Sequence, residues 1–204
     1  WGYTLYYATN FIFTGLAVAV AFHARLFNIG GEGQAMLGGL GVALALLFIP
    51  WPHWTIGLIA AALGAAVFGA AWAFIPAYLQ ARRGSHIVIT TIMFNFIASA
   101  LLIYLLNEFL KPVGQADPSS ARFADHLDLP TLNSVLTGMG IKASKDDSVN
   151  VTFLIALASA VAVWVLMWRT RLGYEIRAFG HSESAAKYAG INPVRITVIT
   201  MLIS

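Results

Sequence analysis

Along this chain, apolar runs long enough to cross a bilayer alternate with short polar breaks. The runs cover roughly Leu5 to Phe22, Ala35 to Ile49, Thr55 to Leu79, Ile87 to Leu106 and Val151 to Trp168, and a further one begins near Val194. Each is expected to be a membrane helix, the last of them incomplete. The aromatic start of the first run (Trp1, Tyr3, Tyr6, Tyr7) and the turn Pro50-Trp51-Pro52-His53-Trp54 suit the membrane interface. In the third run Gly57, Ala61, Gly64, Ala65, Gly69 and Ala73 recur at spacings that let helices approach closely in lipid. Such a helix belongs near the centre of a bundle, packed within one chain or against a second copy.

The breaks carry the topology. Arg25, Arg82-Arg83 and the basic stretch from Arg169 to Asn192 mark one side, which the positive-inside tendency makes cytoplasmic. The long hydrophilic stretch Asn107 to Asn150 sets Glu108, Asp117, Asp125, Asp128, Asp146 and Asp147 against Lys111, Arg122, Lys142 and Lys145. Lacking a positive excess, it belongs outside. Within the basic stretch the spacing predicts a short helix: Ser182 as its N-cap, Glu183 in the first turn, Lys187 in the last, Gly190 at the exit, and Asn192-Pro193 opening the next segment. A short helix held at the cytoplasmic face between two spans suits docking of a soluble partner; a basic loop that only fixes topology is the alternative. The expected fold is all-α, a polytopic membrane helix bundle of about six spans with a cytoplasmic coupling helix, and residues 1–204 form one transmembrane domain.

Composition sharpens this picture. The chain is 59% hydrophobic and 10% charged, with a mean hydropathy of +0.76, far from the roughly one-quarter charged residues of soluble domains. The net charge of +3 sits at the ends of apolar runs, so it reads as a topology signal and not as a nucleic-acid surface. Cysteine is absent, which removes disulfides, thiolate metal sites and cysteine catalysis. A start at Trp1 and an end inside an apolar run are what a piece of a longer chain would show.

Candidate chemistry is sparse. Gly30-Gly31-Glu32-Gly33 is neither a dinucleotide fingerprint nor a P-loop, and no lysine plus Ser/Thr follows. It reads instead as a break in a membrane helix, with Asn28, Glu32 and Gln34 satisfying the freed backbone groups and lining a substrate path. The other reading makes Glu32 a cap on the cytoplasmic end of the second span. Thr90, Thr91 and Asn95, polar positions inside the fourth run, are expected to face protein or water on the same path. No histidine has metal-ligand spacing, and no catalytic group of residues is present in the sequence.

Three segments, FNIGGEGQAMLGG (Phe27 to Gly39), VITTIMFNFIA (Val88 to Ala98) and GHSESAAKYAGINPVR (Gly180 to Arg195), together resemble the binding-protein-dependent membrane permeases of bacterial ABC importers for simple sugars and nucleosides. They lie in that family's order and cover most of the chain. The resemblance implies that 169–193 is a cytoplasmic coupling loop docking into a separate ABC ATPase subunit through Gly180, Ser182, Glu183, Ser184, Ala185, Ala186, Lys187 and Gly190. Ser184-Ala185-Ala186 with Gly190 is similar to a degenerate EAA-x3-G signature, with serine in the usual glutamate position and Glu183 before it.

Further implications follow from that likeness. An extracytoplasmic solute-binding protein would land on the outer loop 107–150, a second permease subunit would complete the path, and transport would proceed by alternating access in the bacterial inner membrane. ATP and magnesium would bind the partner subunit, leaving this chain without cofactor, metal or catalysis. The competing reading is an ion-coupled secondary transporter, for which Glu32 would be the coupling residue. A membrane enzyme would need clustered reactive residues that the sequence does not offer.

Overall fold

The computed structural model describes residues 2–138 and 149–204. Trp1 of the expected aromatic start, and Lys142, Lys145, Asp146 and Asp147 of the outer loop, lie outside the described residues. Among those described, the elements are α1 (Gly2–His23), α2 (Gly31–Phe48), α3 (Trp54–Arg83), α4 (Ile87–Leu105, running on through a π turn to Leu110), α5 (Leu132–Gly138), α6 (Thr152–Arg169), α7 (Arg171–His181), α8 (Glu183–Tyr188) and α9 (Pro193–Ile203). α1, α2, α3, α4 and α6 are long and apolar enough to cross a membrane, and α9 is a shorter apolar helix. The all-α bundle is as expected, but α3 runs on to Arg83, the 107–150 stretch holds the short α5, and the basic stretch 169–192 holds two helices where one was foreseen.

α2 and α3 pack antiparallel at close range. A β-carbon on Gly41 would lie 2.3 Å from the carbonyl oxygen of Gly64, and one on Gly64 would lie 2.6 Å from that of Gly41. Gly38 faces Ala65 along the same seam, and Gly69 lies near the backbone of Gln34. The small residues of the second and third spans therefore serve packing within the chain. This register puts the first turn of α2 beside Trp72, since a β-carbon on Gly33 would meet the Trp72 indole nitrogen at 3.0 Å. Residues 73–83 of α3 continue for about 16 Å past that point at 1.5 Å per residue. α9 packs along α3 as well, and Ala77 of α3 shares one apolar core with Ile196 and Met201 of α9. α2 and α9 thus divide the length of α3 between them.

The same core takes in Ala21 of α1, Ile176 of α7 and Ala186 of α8 and gathers the helix ends that adjoin α7 and α8. A second one, around Leu37, Leu40, Ala98 and Leu110, joins α2 to α4. Side chains pointing away from both are large and apolar, among them Phe11, Ile59, Phe96 and Val161, as lipid-facing positions require. At the other end of the bundle the chain folds back over the α2–α3 turn: the His126 ring hydrogen-bonds to the Trp51 carbonyl at 2.8 Å, and Leu127 packs on Gly57.

Candidate functional site

Two places collect the polar residues singled out above, and α9 runs between them. The first is the break between α1 and α2. α1 ends at His23; Arg25 adopts a left-handed turn (φ 56°), and residues 24–30 climb back alongside α1 before α2 starts. In this extended stretch Phe27 and Ile29 point outward while Asn28 and Gly30 are buried. Asn28 is fully engaged. Its amide nitrogen donates to Gln34 Oε1 (2.9 Å) and to Ser204 Oγ (3.0 Å), and its oxygen accepts the Gly30 N–H (2.8 Å).

Asn95 of α4 holds the break from the other side. Its oxygen accepts the Gly33 N–H (2.9 Å) and its nitrogen donates to the Ile29 carbonyl (2.9 Å). Thr91, fully buried, gives its hydroxyl proton to backbone oxygens of its own helix and presents its methyl to Gly30, where a β-carbon would meet it at 3.4 Å. Thr90 bonds to the His86 carbonyl one turn back. Asn28, Gln34, Thr91 and Asn95 therefore come together, bonded chiefly to the backbone of the break and to one another. Glu32 lies apart, exposed in the first turn of α2, and makes no ion pair among the described residues. Glu32 sits in the first turn of α2, where a carboxylate is favoured, and that start lies about 16 Å short of the Arg83 end of α3.

Asn95→Leu should leave the Gly33 N–H and the Ile29 carbonyl without partners. At about 1–3 kcal/mol for a stranded buried group, a loss of stability of about 2 kcal/mol is expected. Denaturation of the purified protein in detergent would measure it, and an unchanged midpoint would mean that the amide does not hold the break.

The second place is the basic stretch 169–192. α6 ends at Arg169, and Thr170 caps α7 by accepting the Gly173 N–H. α7 is pinned beneath the bundle: Gly180 is buried so closely against α1 that a β-carbon would fall 1.9 Å from the His23 carbonyl oxygen. Arg177 stacks on the Trp168 ring, 4.3 Å from its centre, and Arg171 pairs with Glu175 at 2.9 Å. α8 follows with the predicted ends. Ser182 accepts the Ala185 N–H, Gly190 turns the chain at φ +81°, the Ile191 N–H closes back on Ala186, and Asn192 caps α9 over Pro193.

Only Ala186 of α8 is buried; Glu183, Ser184, Ala185 and Lys187 are exposed, and Tyr188 is 95% exposed. Beside the helix lies a cavity of ≈ 320 Å³ walled by Arg171, Tyr174, Glu175, Gly190, Asn192 and Arg195. Gly180 joins the loop to α1, whereas Ser182 to Gly190 face outward. Sequence reasoning did not single out Tyr188, which belongs to no motif, or Ser204, whose partners Asn28 and Ala17 are remote in the chain.

A bundle with five membrane-length helices among the described residues defines a multi-pass membrane protein, and one end of it carries a capped, outward-facing helix. The chain belongs to the family described as branched-chain amino acid transport system / permease component, which matches residues 2–204. It is 36% identical over 196 residues to the glucose ABC transporter permease protein TsgB13 of Haloferax volcanii, covering 96% of this chain and 51% of that one. It is 34% identical over 207 residues to the guanosine ABC transporter permease protein NupP of Bacillus subtilis, covering 100% and 56%. Identity to the nucleoside ABC transporter permease protein NupB of Lactococcus lactis is 32% over 205 residues, covering 100% and 55%. The chain spans about half the length of these curated relatives, and no solved structure matches it.

Proposed function

We propose that the protein acts as a transmembrane permease subunit of an ATP-driven importer in the bacterial inner membrane, moving a small neutral polar solute, a simple sugar or nucleoside, by alternating access. ATP with magnesium binds and is hydrolysed on a separate ABC ATPase subunit. An extracytoplasmic solute-binding protein delivers the solute at the 107–150 side, and a second permease subunit completes the path. The observation that carries this reading is α8, a helix capped at both ends that buries one residue and offers the others to a partner.

The relatives named above carry glucose, guanosine or nucleosides in their names. These are uncharged at neutral pH and rich in hydroxyl groups, so they need hydrogen bonds more than ion pairs. A break lined by amides and hydroxyls, with the carboxylate of Glu32 lying apart from them, suits such cargo. The permease does no chemistry of its own in this scheme; nucleotide-driven movement of the ATPase displaces α8 and rocks the spans.

The test is co-purification of the full-length permease with its ATPase, comparing the intact protein with a variant whose Ser182 to Gly190 segment is scrambled. Retention of the ATPase by the intact protein, and at least about a tenfold loss in the scrambled one, is expected. If neither form retains any ATPase in reconstituted membranes, ion-coupled transport through Glu32 becomes the reading to pursue.

A further inference from the structure

α8 and the α1–α2 break lie at opposite ends of α9, and the bonds at each end of α9 are specific. At the cytoplasmic end, a tight turn of residues 189–192 separates α8 from α9, and Asn192 fixes its exit by capping α9. Along its length α9 is clamped by buried Ile196, Thr197, Thr200 and Met201. At its far end the Ser204 hydroxyl donates to the Ala17 carbonyl of α1 at 2.7 Å and accepts from Asn28 at 3.0 Å. Asn28 in turn holds Gln34 and Gly30, so one hydroxyl touches α1, the break and, through one amide, α2.

We infer that Ser204 and Asn28 are positioning residues that deliver movement of α8 to the α1–α2 break. This rests on the docking role proposed for α8. The physical argument is stiffness and satisfaction. A packed helix displaced at one end carries its other end with it, about 16 Å away for eleven residues at 1.5 Å each. In a bundle without water, the amide of Asn28 follows its acceptor, because losing it would strand a buried donor. An apolar contact at the same place would let α9 slide past the break, since it has no preferred register. The hydroxyl supplies that register. Asn95, anchored on α4, holds Ile29 and Gly33 as the fixed side against which the break moves.

Residues 1–204 contain no cysteine, so Phe27, 47% exposed on the break, is made a reporter by Phe27→Cys, with Ile29→Cys as a second position and any cysteine elsewhere in the full-length permease replaced by serine. In the full-length permease assembled with its ATPase in proteoliposomes, the rate of maleimide labelling at position 27 is measured with and without a non-hydrolysable ATP analogue. ATPase retention is checked first on the same preparation. Nucleotide is expected to change the rate about fivefold or more, the lower end of typical coupling between sites. Adding Ser204→Ala should reduce the change to less than about twofold with the ATPase still bound, and Ser204→Thr, which keeps the hydroxyl, should restore it.

A nucleotide response that survives Ser204→Ala overturns the inference, as does a break that never responds while the ATPase is bound. A hydroxyl that mattered only for folding would lower the yield of complex and leave the ratio of rates intact. Failure of the intact permease to retain its ATPase sinks the docking role of α8 itself, and the relay with it.

Discussion

Gly41→Val is expected to leave little folded permease, because it places branched carbons where the backbone of another helix already lies. Even a single β-carbon there would sit 2.3 Å from the Gly64 carbonyl oxygen, 2.7 Å from its carbon and 2.9 Å from the Phe68 ring. Two of these atoms are main chain and cannot swing aside, so α2 and α3 must separate along their whole seam. Overpacking of this kind costs about 3 kcal/mol even where a core adjusts, and here it also dismantles contacts at Gly38, Ala65 and Gly69. Gly39, two residues earlier, is the matched control: a β-carbon there meets nothing within 4 Å. Thermal unfolding of the detergent-solubilised protein should be lowered sharply by Gly41→Ala and more by Gly41→Val, with Gly39→Ala close to the parent. Equal midpoints for Gly41→Ala and Gly39→Ala would show that the seam is not closed in the membrane.

The second large effect lies in coupling and not in folding. Gly190 has φ +81° at the turn from α8 into α9, and a β-carbon there would meet no neighbour within 4 Å. The cost of Gly190→Val is therefore conformational. An L-residue in the left-handed region loses about 1–2 kcal/mol and a β-branched one more, which the turn relieves by changing shape. Membrane insertion should be untouched, while the transporter, reconstituted with its ATPase and binding protein, should move about tenfold fewer solute molecules per ATP, because α8 and α9 no longer move as one. Gly190→Asn, which tolerates this region, should retain most of the coupling. Unchanged solute per ATP in Gly190→Val would remove the turn from the mechanism.

What the sequence revealed and what it hid divide along the range of the interactions involved. Ser182, Lys187, Gly190 and Asn192-Pro193 specify α8 and its exit by bonds that span three or four residues, and they are legible in a single window. The spans were legible for a similar reason, since a run of apolar residues needs no tertiary knowledge. α7 was not legible. Its sequence RLGYEIRAFGH is short, with two glycines and three charged residues around the apolar stripe Leu172, Ile176 and Phe179, and Gly173 and Gly180 let it lie against the ends of α6 and α1. The polar residues of the break were found, yet their partners were not: Asn28 bonds to a serine 176 positions away, and no local pattern announces such a pair. Small residues at helical spacing in α3 pointed to close packing, but only the register of Gly41 on Gly64 shows that the partner is α2 of the same chain.

That α3 is covered by α2 along one part and by α9 along another has a consequence for biogenesis. α3 is complete at Arg83, whereas α9 begins at Pro193, and at 5–20 residues per second the ribosome needs roughly 5–20 s to travel between them. Throughout that interval Ala73, Pro76 and Ala77 have no α9 to cover them, and Asn28 lacks its bond to Ser204. The nascent hairpin of α2 and α3 is thus closed along the Gly41–Gly64 seam while the Ala77 end of α3 stays open until α9 is made. The core that seats Ile176 and Ala186 is completed only after α1 to α6 have been synthesised.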